Sequence, residues 1–301
     1  MLIINDKPGQ MCNCLWSYAP YIAFARENNI KVALPHFYKY SDLFFNLNNT
    51  DGVIVKAPFQ KLGTAKTLYF FYKIFVKLCK TISKKIDLKN LSIYLNFSEW
   101  EKECWPKSIL LKKNALVFVG SWNGDRDNDI FLKNKKYIVN LFKPEEKCSQ
   151  EVDAVFYELR KNYDLVIGLH VRRGDYKTFI DGRYYFDDVV YANFVKQLAA
   201  QMPSRRLITY IASNETIDIS SFNGLAVHYV PSSSPLTDLE SLGRCDYILG
   251  PPSTFSMWAS FVGDKPLLFL KNKTHLISLA DFSPILYQDT FRNGNIFSHD
   301  Y

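Results

Sequence analysis

The residues best suited to chemistry stand together in Gly168-Leu169-His170-Val171-Arg172-Arg173-Gly174-Asp175-Tyr176. The apolar run from Leu165 to Leu169 reads as a buried strand, and it gives way to a histidine, two adjacent arginines, a glycine and an aspartate. Ligands of open α/β sheets bind beyond the carboxyl ends of the strands. A pair of guanidiniums placed there can grip a diphosphate through charge-assisted hydrogen bonds. The pattern points to a nucleotide-like polyanion more than to two surface arginines that happen to follow a strand.

Two other segments carry polar groups at expected strand ends. Ala212-Ser213-Asn214-Glu215 brings Ser213 and Asn214, and Gly250-Pro251-Pro252-Ser253-Thr254-Phe255-Ser256 opens a helix. Ser253 or Thr254 there either caps the helix or presents hydroxyl and N–H donors to an anion at the positive end of the helix dipole. Asp238 lies in the first turn of another helix. It is either a helix-start acid or a carboxylate that accepts two N–H bonds from the edge of a guanine. Asp175 either orients an arginine or acts as a base.

The elements that must hold these residues follow from periodicity. In the second half, strands expected at 165–171, 206–212, 226–230, 247–249 and 266–270 alternate with helical patterns at 188–201, 235–244 and 254–262, the signature of a doubly wound sheet. The first half begins the same way, with a strand at Leu2-Ile3-Ile4, a turn through Pro8-Gly9, and a helix over 11–28 broken or bent near Pro20. Strands follow at 31–34 and 116–120, the latter ending in Gly120-Ser121-Trp122. The reading is α/β with two domains, 1–146 and 147–301, each Rossmann-like and facing a cleft.

At this point the motifs resemble a known family. His170 to Tyr176 looks like the HxRRGDY motif of the alpha-1,2-fucosyltransferases, glycosyltransferase family 11, and Ser253-Thr254-Phe255-Ser256-Met257-Trp258-Ala259 resembles their STFSWWA motif. Gly120-Ser121-Trp122 and Asn13-Cys14-Leu15-Trp16-Ser17-Tyr18-Ala19 are similar to weaker motifs of that family. The resemblance implies a GT-B architecture and an inverting transfer of fucose from GDP-fucose, with no cofactor and no metal, to a glycan hydroxyl, galactose O2 among them. It implies that Arg172, Arg173 and Asp175 serve catalysis. His170, Asp238, Ser253, Thr254 and Phe255 would hold the donor, with Ser213 and Asn214 added by their place at a strand end, and Asn13, Trp16 and Trp122 would lie on the acceptor side. Transfer from another nucleotide sugar, and a non-catalytic relative that only binds sugar nucleotide or glycan, are the competing readings.

Bulk properties narrow the partners. Of 301 residues, 48% are hydrophobic and 22% charged, which fits a folded globular chain. The net charge is +7, and residues 61–90 carry all of it, with eight lysines against Asp87. A diffuse nucleic-acid surface is therefore not expected. Lys73, Lys77, Lys80 and Lys84 form one stripe of a helix expected over 66–86, beside Leu68, Phe71, Phe75, Leu78 and Ile82. That helix either docks on an anionic membrane face near a lipid-linked acceptor or packs its apolar side into the domain. The six cysteines and five histidines show no metal-ligand spacing, and no leader is visible. A cytoplasmic protein, peripheral on a membrane in the first alternative, is the expectation.

Overall fold

Short apolar runs become parallel strands in both halves of the chain. The computed structural model describes residues 1–5, 7–56, 63–95, 105–120 and 128–284, and the chain divides into two units, Met1–Glu145 and Glu146–Tyr301.

The first unit holds β1 (Leu2–Ile4), β2 (Val32–Ala33), β3 (Val53–Ile54), β4 (Ile93–Tyr94) and β5 (Leu116–Val119) in the order β3-β2-β1-β5-β4. All of its pairings are parallel. The helix α1 (Met11–Glu27) runs as one element through Pro20, so of the expected break or bend it shows no break. Its residues from Met11 to Ala25 are buried apart from Asn13. A helix enclosed on all sides is held by packing, and that outweighs the single backbone bond a proline removes. The helix α2 (Ala65–Ile82) starts at Thr64, whose hydroxyl accepts from Thr67 N at 3.1 Å. It ends four residues before the expected limit. Shorter helices are α3 (Lys107–Leu110), α4 (Asn128–Lys133) and α5 (Lys135–Leu141).

The second unit holds β6 (Leu165–Val171), β7 (Leu207–Ser213), β8 (Val227–Tyr229), β9 (Tyr247–Gly250), β10 (Pro266–Phe269) and β11 (Ser283–Pro284) in the order β11-β10-β9-β6-β7-β8. Only β11 is antiparallel. The helices are α6 (Glu146–Asn162), α7 (Asp188–Ala200), α8 (Pro235–Arg244) and α9 (Thr254–Gly263). Ile167, Leu169 and Val171 of β6 join Tyr191, Phe194 and Leu198 of α7 in one core. Strands buried on both faces are unbroken apolar runs, which is why β6 and β7 were legible as such. Arg160 of α6 pairs with Asp246, and Asp246 also accepts the β6 N–H of Val166 at 2.8 Å. That aspartate is a structural turn residue.

Candidate functional site

The chain lays β6, β7 and β8 side by side, then returns through α8 to place β9 on the other flank of β6. The strand order therefore reverses between β6 and β9, the position where open sheets bind their ligands. The register puts Leu169 opposite Leu249 on one side, and His170 opposite Ala212 on the other. Three loops thus leave adjacent strands at one level: Arg172 to Tyr176, Ser213 to Glu215, and Pro251 to Thr254. A side chain at Gly250 would place its Cβ 2.5 Å from the carbonyl oxygen of His170. Only glycine lets β9 end so close to β6.

His170 is buried, with its ring 5.0 Å from that of Phe255. Burial, aided by the charge of Arg172, pushes its pKa down to about 3, so the imidazole is neutral near pH 7. Its Nδ1 is buried and finds no hydrogen-bond partner among the described residues. A buried orphan atom calls for an explanation, and a ligand at this switch point supplies one.

The two arginines have different surroundings. The Arg172 side chain, 17% exposed, pairs with Asp175 at 2.7 Å, and Asp175 itself is largely exposed. The Arg172 guanidinium lies 5.5 Å from the Tyr176 ring centre. Arg173 is buried and turned to the scaffold. Its Nε donates to Phe186 O at 3.2 Å and its Nη2 to Asp188 Oδ1 at 2.5 Å, while its backbone N–H donates to Asn214 Oδ1 at 2.8 Å. Asp188 Oδ2 in turn accepts from Asp218 N at 3.0 Å. Of the two, Arg172 lies beside the exposed loop carboxylate Asp175, whereas Arg173 is tied to Phe186, Asp188 and Asn214 and holds the loop. Asp175 is placed to orient Arg172, one of the two roles expected of it.

The other loops are tied to this one. Tyr176 Oη donates to Pro252 O at 2.5 Å. Ser253 Oγ accepts from Phe255 N at 3.3 Å as the cap of α9, and Ser256 Oγ donates to Ser253 O at 3.1 Å. Ser253 is therefore a helix cap, and Thr254 and Phe255, both half-buried, begin the helix whose positive end faces the switch point. Ser213 Oγ donates to Glu215 O at 2.7 Å and holds its own turn. Gly174 has φ +64°, and a Cβ there would lie 3.1 Å from Asn214 Nδ2.

Asp238 sits in the first turn of α8 and is buried. Its Oδ1 accepts from Tyr210 Oη at 3.2 Å. Burial pushes its pKa up to about 6, opposed by hydrogen bonds from Ser233, Tyr210 and the Ser213 backbone. A carboxylate this costly to bury is unusual for a mere helix start.

Trp16 is wholly buried and packs 6.4 Å from Phe131, so it is a core residue and not an acceptor contact. Asn13 Nδ2 donates to Pro8 O at 2.8 Å, bracing the turn before α1. Trp122 lies outside the described residues. Asp188 and Tyr210 were missed by sequence reasoning, since an aspartate opening a helix and a tyrosine inside a strand look ordinary until Arg173 and Asp238 are found against them.

No protein-family model matches the chain, and no curated protein matches its sequence. Solved structures do match its fold. The NodZ alpha-1,6-fucosyltransferase soaked with GDP-fucose superposes with a TM-score of 0.55 at 14% identity, over 92% of this chain and 97% of that one. FUT1 of Arabidopsis thaliana, a mutant in complex with GDP, gives 0.55 at 11% identity, over 94% and 73%. POFUT1 in complex with GDP-fucose gives 0.50 at 12%, over 90% and 97%. The fold is GT-B, with two Rossmann-like units.

Proposed function

We propose that this chain transfers fucose from GDP-fucose to a hydroxyl of a glycan acceptor, as a member of the alpha-1,2-fucosyltransferase family. The observation that carries the reading is the convergence of Arg172, the α9 N-terminus and the neutral His170 at the β6–β9 switch point. The fold is shared with fucosyltransferases crystallised with GDP-fucose, which supports the same donor here.

In this reading Arg172, oriented by Asp175, neutralises the diphosphate as the C–O bond to fucose breaks. The first turn of α9, at Thr254 and Phe255, adds its dipole and backbone donors, and such fixed donors lower the barrier where charge develops. Arg173 keeps the loop in register through Asp188. Ionised Asp238 accepts from guanine, and His170 Nδ1 gains its partner from the nucleotide. The acceptor hydroxyl attacks the face opposite the departing GDP, inverting the anomeric carbon, and its proton passes to water or to a phosphate oxygen of the GDP that leaves. Arg172 and the helix end supply the charge stabilisation, so turnover needs no divalent ion. The acceptor is a glycan, free or lipid-linked, with galactose O2 as the target.

Incubating the protein with GDP-fucose and a panel of galactose-terminated glycans, with EDTA present, tests this. Mass spectrometry reads the transfer and NMR reads the linkage. A fucosylated product linked at O2 supports the reading in full. Transfer to another hydroxyl moves the linkage, transfer only from UDP-sugars or GDP-mannose replaces the donor, and GDP binding without turnover on any acceptor leaves a binding protein.

A further inference from the structure

Helix α2 has three faces. Ala65 and Cys79 are buried, and Tyr72, Phe75 and Val76 pack on Ile3, Ala33 and Phe118. Lys66, Lys73, Lys77, Lys80 and Lys84 follow one another along a second line, and Ala65–Ile82 contains no acid. The third line is the unusual one. Phe70, Phe71, Ile74, Leu78 and Ile82 recur at helical spacing, and all are exposed, Phe70 by 59% and Leu78 by 55%. Ile86, whose N–H bonds Ile82 O at 3.0 Å, continues it. The expected apolar face is thus divided, with Phe75 inward and Phe71, Leu78 and Ile82 outward.

A helix on a globular surface turns polar residues to water, and a contiguous apolar line rimmed by charge marks an interaction site. We propose that this outer face of α2 docks the protein on an anionic lipid bilayer, independently of the donor chemistry. A helix lying in the plane of a membrane needs an apolar line to sink among acyl chains and a basic line at the level of the headgroups, and lysine stems reach up from the apolar layer to the phosphates. A second copy of the chain fits worse, because the helix offers its lysines no acid of its own. Among the described residues no helix is long and apolar enough to cross a membrane, so the contact is one of surface.

Vesicle flotation of the full chain tests the proposal. With phosphatidylcholine vesicles containing phosphatidylglycerol at low salt, the protein floats, and raising the salt lowers the floated fraction. Changing Lys73, Lys77, Lys80 and Lys84 to Gln lowers partitioning by roughly a hundredfold or more, since each lysine near the surface contributes about a fivefold factor. Phe71→Glu with Leu78→Glu abolishes flotation and leaves the thermal midpoint unchanged, because both positions are exposed. Leu276→Glu, at an exposed site of the other unit, changes nothing. Wild-type protein left at the bottom of the gradient at low salt overturns the proposal. So does flotation of the double-Glu variant equal to wild type, or a concentration-dependent dimer that Leu78→Glu dissociates.

Discussion

At Arg172 the guanidinium has its carboxylate partner on the exposed side, Asp175, whereas Arg173 next to it is enclosed by Phe186 O and Asp188. Single substitutions separate the two roles. Arg172→Ala is expected to weaken GDP by about tenfold to a hundredfold, the loss of one charge-assisted contact of about 1.5–3 kcal/mol, with the melting temperature little changed. Asp188→Ala strands the buried Arg173 charge and costs the fold about 3 kcal/mol or more. Calorimetric titration and thermal melts of both variants check this. Equal loss of stability in the two would mean that Arg172 is also scaffold. Asp238 gives a pH signature. Its folded pKa of about 6 lies above the ordinary 3.8, so the folded state binds its proton more tightly. This residue's contribution to stability is best below about pH 4 and worsens as pH rises through 6. Asp238→Asn therefore gains stability over wild type at pH 8, by up to about 3 kcal/mol, and the gain vanishes near pH 4. Nucleotide binding runs the other way. Guanine needs the ionised form, so GDP affinity rises between pH 5 and 7.5. ADP carries the same phosphates and serves as the control, and an unchanged GDP-to-ADP ratio would remove Asp238 from the base site. His170, with a pKa of about 3, stays neutral throughout this range.

The elements show what a sequence can and cannot disclose. β6 and α8 were legible because a strand buried on both faces is a run of apolar residues, and because Ser234-Pro235 is a strong helix start. β3 and β4, of two residues each, leave no periodic trace. Pro20 does not end α1, because the helix is enclosed, and that enclosure cannot be read from sequence. The motif marks the loop that leaves β6 at the switch point but not that Arg173 is held by Asp188, fifteen residues away. Gly250 is the testable point at this scale. Gly250→Ala forces a Cβ against the His170 carbonyl and pushes β9 from β6, at a cost of about 1–3 kcal/mol. Thermal melts read that cost, and GDP affinity falls with it because the two loops lose register. A variant as stable as wild type would mean the strand ends shift freely.

At the scale of the whole molecule, the proposed activity depends on GDP-fucose as the donor. One experiment addresses it most directly: mass spectrometry of a galactose-terminated glycan panel incubated with GDP-fucose and either wild-type protein or Arg172→Ala. Wild type is expected to give a fucosylated product and Arg172→Ala almost none, while both proteins melt at the same temperature. Undiminished transfer by Arg172→Ala, or transfer from UDP-sugars and none from GDP-fucose, would contradict the proposal.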